Sequence, residues 1–304
     1  SLFEKNQSTS SASSGGSYGG SYGGALHIQD SWSGQIRPNV WIVNSRFTKN
    51  KVGHTGSNTN AHGGAIYGAA PFIMMNTLID SNSAEFSGSN GRGMGGGMMI
   101  LMNSQWDGSN EIKGHIYLIN NTIADNYASS NDDFGQGGGI NITNVNNVHG
   151  TWFNNIFWGN RSNEASSTDQ HNIKFDGGQQ LQLNIDYNNI EFSEHVSDLV
   201  GSNSYDIDPS FYSATNYQLS AGSPLIGAGT ASFDGTNAPK KDKLDNARPN
   251  PSGSNPDLGA YENSLAESPY PKQVKNLVGV FGSRQVGLRW DANTETDIKK
   301  YLVY

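Results

Sequence analysis

The sequence predicts an all-β chain whose main body is a right-handed parallel β-helix, a solenoid of stacked coils. Three observations predict it. A Gly-Gly motif and an apolar-x-x-Asn motif alternate along the chain, short strand-like runs without helical periodicity lie between them, and the spacing of copies varies while the motifs hold.

The Gly-rich ladder reads Gly23-Gly24-Ala25-Leu26, Gly63-Gly64-Ala65-Ile66, Gly95-Gly96-Gly97-Met98 and Gly137-Gly138-Gly139-Ile140. The second motif reads Phe47 to Asn50, Ile79 to Asn82, Ile123 to Asn126 and Phe157 to Asn160, with Phe3 to Asn6 an earlier copy. An Asn stands three residues before each of the four apolar centres, at Asn44, Asn76, Asn120 and Asn154, and a degenerate fifth copy is read at Asn184 to Tyr187. The centres Phe47, Ile79, Ile123, Phe157 and Tyr187 are 32, 44, 34 and 30 residues apart, as in coils carrying insertions of different lengths. Runs such as Val40 to Val43, Phe72 to Met75 and His115 to Ile119 are bounded by Gly and Asn, which marks strands. Gly64, Gly96 and Gly138 are expected to allow close backbone approach at the corners. Asn50, Asn82, Asn126 and Asn160 are expected to bond from coil to coil as a side-chain ladder.

The composition fits such a body. The 304 residues include 38 Gly, and charged residues are 15%, below the roughly 25% of ordinary soluble domains. The 13 Tyr, 12 Phe and 6 Trp, spaced regularly with β-branched residues, supply a core and exclude a disordered low-complexity chain. The net charge is −8 with the 19 basic residues scattered, so no basic stripe exists for a nucleic-acid backbone. No apolar run is long enough to cross a membrane as a helix. The chain has no cysteine, which excludes disulfides and thiolate metal sites. It opens on Ser1 to Asn6, the middle of a repeat, which predicts further residues upstream.

These alternating motifs resemble the repeats of bacterial polymorphic outer-membrane proteins and related secreted or surface β-helix proteins. A longer match follows. Asp208-Pro209, Tyr217 to Leu219, Ser223 to Gly229, Arg248-Pro249 and Asp257-Leu-Gly-Ala-Tyr-Glu262 resemble the closing portion of secreted bacterial β-helix proteins. The resemblance implies a segment that covers the exposed end of the coils. After Ser268 to Pro271, the runs Val274 to Val280, Val286 to Asp291 and Asp297 to Tyr304 resemble the first three strands of a fibronectin type III β-sandwich, with Trp290 as its core Trp. The expected organisation is therefore β-helix repeats over 1–204, a closing segment over 205–264, a linker over 265–271 and a partial fibronectin type III-like domain over 272–304. An extracellular or cell-surface location is what the resemblance implies.

Chemistry is sparse. A polysaccharide lyase needs a base and charge neutralisation of a uronate, and a glycosidase needs two facing carboxylates. No pair of acids recurs at coil spacing, and no Ser/His/Asp set stands out. The expectation is a non-catalytic adhesive or glycan-binding scaffold whose partner is a polysaccharide or cell-surface ligand; the alternative is a secreted lyase or glycoside hydrolase. Trp32 and Trp106, in polar stretches, and Arg46 and Lys49, around one repeat motif, are the candidate carbohydrate contacts. Trp41 and Trp152 lie in strand runs and read as core or flank. No motif demands a cofactor, and calcium on Asp125, Asp132 and Asp133 is the one candidate metal. Asp234, Asp242 and Asp245 share a loop with Lys240, Lys241 and Lys243, as ion pairs or a second calcium site.

Overall fold

The computed structural model describes residues 1–11, 20–29, 40–101, 105–106, 111–112, 114–143, 148–163, 172–176, 182–191, 200–268, 274–282, 285–291 and 300. Among them every regular element is a strand. The short apolar runs form parallel ladders because successive repeats return the chain to the same places, four of them filled five or six times and one of them three times.

Sheet I stacks Leu2–Glu4, Arg46–Thr48, Leu78–Asp80, Thr122–Ala124, Ile156–Trp158 and Asn189–Ile190. Sheet II stacks Gln7–Ser10, Lys51–His54, Ser83–Phe86, Tyr127–Ser130 and Arg161–Ser162. Sheet III holds Gly20–Tyr22, Asn60–His62 and Gly93–Met94. Sheet IV holds Leu26–Gln29, Ile66–Ala69, Met98–Leu101, Ile140–Thr143 and Ile173–Asp176. Sheet V holds Val40–Val43, Phe72–Met75, Gly114–Ile119, Val148–Phe153 and Gln182–Ile185. All these pairings are parallel and in register, so equivalent residues of successive repeats lie over one another.

That register makes the core. Phe3, Phe47, Ile79, Ile123, Phe157 and Ile190 form one line through sheet I. Ile42, Met74, Leu118, Trp152 and Ile185 form another through sheet V, and Ile66, Met98, Ile140 and Ile173 a third through sheet IV. These residues form one contiguous buried cluster with Phe3 half-buried at its rim. Burying a side chain of this size is worth about 1.5–3 kcal/mol, so stacking carries the fold where isolated strands of three or four residues have none. The fifth repeat sits differently from its expected place. Ile190, not Tyr187, pairs with Phe157, and Tyr187 takes the corner occupied elsewhere by Asn154. Reading Asn184 as the corner Asn misplaced the motif by three residues.

The corners explain the motifs. Asn44, Asn76, Asn120 and Asn154 all have φ between 50° and 57°, the left-handed region that Asn tolerates best among the side-chain-bearing residues. In the Gly-Gly pair the two residues do different jobs. Gly95 has φ 67°, whereas a Cβ on Gly96 would lie 2.4 Å from the Tyr127 carbonyl carbon and 2.5 Å from the Gly138 oxygen. The first Gly serves the turn and the second serves the close approach of neighbouring backbones.

Residues 200–207 continue the stack at its far end, through bridges of Val200 with Ile185 and Tyr205 with Asn189. The closing segment then turns back along the side of the stack, further than an end cap reaches. Lys243 reaches the Asn44 carbonyl, Arg248 bonds Asn76, the Ala260 N–H bonds Thr122 Oγ1, and Thr230 bonds Asn154. It thus ties four successive repeats together. Beyond it, Lys275–Gly282 and Gln285–Asp291 form an antiparallel pair, with Leu277, Val278, Val280, Val286 and Leu288 exposed.

Candidate functional site

Two buried amide ladders hold the corners. Asn50, Asn82, Asn126 and Asn160 form the first: each Nδ2 donates to the next Oδ1 at 2.9 Å up to Asn160, which donates to Asn172 at 2.7 Å. Each Nδ2 also donates to a carbonyl of the preceding repeat, Phe3, Phe47, Ile79 and Ile123 in turn. Every amide hydrogen in the middle of this ladder therefore has a partner, which is the condition for burying it. The second ladder, at Thr77, Asn121, Asn155 and Asn188, went unread in the sequence. Its signal was the residue directly after each corner Asn, but that position drifts from Ser45 to Thr77 to Asn121, which hides the repeat.

The charged residues proposed as ligand contacts lie apart. Arg46 makes a two-pronged bond to Asp80 at 2.9 Å on each arm, and Thr48 adds a third bond to the same carboxylate. Its charge is therefore already met. Lys49 is exposed, one residue before the amide ladder. Asp125 accepts from the Tyr217 hydroxyl at 2.8 Å, and burial raises its carboxyl above the ordinary range. Asp133 meets Asn163 at another corner, exposed like Asp132. Among the described residues no three acids or His converge to hold a metal. Trp32 lies outside the described residues, and Trp106 is placed on a short strand with its side chain outside them. Of the loop acids, Asp245 pairs with Lys241, Asp242 is buried against backbone N–H groups, and Asp234 accepts from Thr151 and Asn184.

The closing signature is a buried network. Arg248 Nε donates to Glu262 at 2.8 Å, with both side chains at 0% exposure. Its other arms reach Asn76 Oδ1 and the Gly259 carbonyl. Glu262 also accepts from the N–H groups of Asn250 and Asp257, and Asp257 accepts from those of Gly227 and Asn263. Burial, then Glu262, pushes the Asp257 carboxyl up to about 7. Arg248, Asp257 and Glu262 thus fasten the segment to the stack and are shut off from any ligand.

Among the described residues, part of the outer face of sheet V is open. Trp41, Ile73 and Tyr117 form one line across it, with Val43 and Met75 beside them. Trp41 is 58% exposed, whereas Trp152 on the inward line is fully buried. Neighbouring strands are about 4.8 Å apart, so Trp41 and Tyr117 stand about 10 Å apart along the stack. The lower end of the face is covered: Phe233 packs on Phe153 and Tyr187, and Asp234 holds Thr151 and Asn184. At the upper end Trp41 and Val43 are exposed among the described residues, and the His115 and His149 rings lie 5.6 Å apart on the third and fourth strands. Sheet V is entered from sheet IV through links that vary from two residues, 70–71, to the insertion between Leu101 and Gly114. The links from sheet V to sheet I hold at two residues in the first four repeats. Variable segments beside a rigid sheet are where binding residues are usually carried.

No family model, no curated protein and no solved structure matches the chain.

Proposed function

We propose that the repeats form a right-handed parallel β-helix of an extracellular or surface-exposed bacterial protein, and that it binds an extended polysaccharide without cleaving it. Four sheets of five or six parallel strands and one of three, filled in chain order and in register, support the β-helix reading. The antiparallel pair at 275–291 supports a fibronectin type III-like continuation, since its exposed apolar side chains are what a second sheet of a sandwich covers.

The observation that carries the function is the exposed Trp41 on sheet V, in line with Ile73 and the half-buried Tyr117. Apolar faces this contiguous are rarely left to water without a partner. An indole plane in a flat sheet offers the C–H face of a sugar ring a large area at little entropic cost, and the polar margin meets its hydroxyls. A line of such rings along the stack suits a linear chain ligand.

The test is retention on a panel of neutral and acidic polysaccharides, with Trp41→Ala beside the wild type. Wild type is expected to bind at least one, and Trp41→Ala to bind it at least tenfold more weakly. Retention of none, or unchanged retention by the variant, overturns the binding face. Release of reducing or unsaturated sugars overturns the non-catalytic reading.

A further inference from the structure

A cavity of about 290 Å³ opens in the closing segment, away from the sheet V face. It is at the small end of the roughly 300–1,000 Å³ usual for ligand pockets, about the size for one sugar ring. Its polar lining is Gln218, Asn246, Asn250, Tyr261, Asn263 and Ser264, all neutral, with Leu219 as its apolar part. Glu262 is the one ionisable acid on its wall, but its side chain has no exposure and its carboxylate is taken by Arg248 and two backbone N–H groups. No charged group therefore meets whatever enters.

The amides keep bonding capacity of both kinds. Gln218 Oε1 accepts from Asn216, which leaves its amide hydrogens. Asn246 Nδ2 donates to Asp242, which leaves its oxygen as an acceptor. Asn250 uses its backbone N–H on Glu262, and its side-chain amide has no bond among the described residues. A group that donates and accepts at once, as a hydroxyl does, matches such a mixed lining. A carboxylate or phosphate finds no cation here to offset the loss of its water. The floor is rigid, because Asn263 is held to the Leu219 carbonyl and to Asp257.

We propose that this cavity binds one neutral pyranose ring, such as the terminal residue of a neutral glycan. The proposal rests on the glycan-binding reading but places a second site about another set of residues. It also gives the closing signature a purpose beyond fastening: Arg248, Asp257 and Glu262 hold the cavity wall in shape while keeping their charge out of it.

Saturation-transfer NMR with D-glucose, D-galactose, D-mannose and D-glucuronate tests it on the full chain. At least one neutral hexose is expected to bind the wild type, with glucuronate at least fivefold weaker. Gln218→Leu and Asn250→Leu, singly and together, are expected to weaken that hexose, by at least tenfold in the double variant. Unchanged thermal unfolding and unchanged polysaccharide retention show each variant to be folded. No binding of any neutral hexose, equal binding of glucuronate, or wild-type binding by the folded single variants overturns the proposal. Trp41→Ala separates the two readings. If it abolishes polysaccharide retention while no hexose binds, the cavity fails and the sheet V face stands; hexose binding with retention unaffected by Trp41→Ala means the reverse.

Discussion

Replacing Asn126 by Ala removes four hydrogen bonds from the middle of the first amide ladder. The groups left behind decide the cost. Asn160 Oδ1 keeps the Asn126 backbone N–H, so it is still bonded. The Asn82 backbone N–H and one hydrogen of the Asn82 amide lose their partner, and both are buried, whereas the Ile79 carbonyl keeps its place in the parallel ladder with Thr122–Ala124. At about 1–3 kcal/mol per stranded group the cost spans about 2–6 kcal/mol, and water entering the vacated polar space brings it toward about 3 kcal/mol. Asn6 is the control. It is exposed at the opposite end of the same ladder and gives its side-chain amide only to Asn50, so Asn6→Ala is expected to cost less than about 1 kcal/mol. Urea unfolding, followed by far-ultraviolet circular dichroism and Trp fluorescence, measures both. The two signals need to coincide, because stacked repeats can unfold in steps. An Asn126→Ala cost below about 1 kcal/mol, or equal to that of Asn6→Ala, refutes the argument that satisfaction of buried amides, rather than apolar stacking alone, holds the corners.

Three further outcomes follow from the same geometry. Gly96→Ala places a methyl 2.4–2.5 Å from the backbone of Tyr127 and Gly138, so it is expected to cost more than about 3 kcal/mol of stability, whereas Gly53→Ala, whose nearest neighbour is a Thr9 methyl at 3.4 Å, is expected to cost less than about 1 kcal/mol. Arg248→Met leaves Glu262 as a buried unpaired charge and is expected to cost about 3–5 kcal/mol, with Arg248→Met/Glu262→Leu regaining part of it in thermal unfolding. Asp257, raised from 3.8 to about 7, holds its proton in the native state after the unfolded chain has lost it. Its contribution to stability is therefore full below about 4 and is lost as pH rises through about 7, so Asp257→Asn is expected to flatten the decline in urea midpoint between pH 5 and 8; an equally steep decline in the variant would show that the slope has another source.

The sequence and the structure part company where contacts stop being local. Phe47-x-x-Asn50 and its copies were legible because one turn of two residues fixes both the inward apolar residue and the buried amide, so the pair recurs intact whatever the coil length. Tyr187 was misread because its corner keeps the left-handed φ without the Asn side chain that marks the other four. Asn44, Asn76, Asn120 and Asn154 recur in the sequence as clearly as the ladder Asn residues; Asn76 and Asn154 donate to the corner Asn of the preceding repeat, yet three of the four also give their amides to Lys241, Asp257, Gly259 and Thr230, residues 76 to 165 positions away. A repeat shows that a position is constrained, but not whether the constraint comes from the neighbouring repeat or from a segment laid across several. The same limit applies to Trp41 and Trp152. Both stand in strand runs, and a shift of one residue in the register sends one outward and the other into the core. The functional reading turns on that parity, because it places an indole on the open face of sheet V while Arg46 is consumed by Asp80 one sheet away.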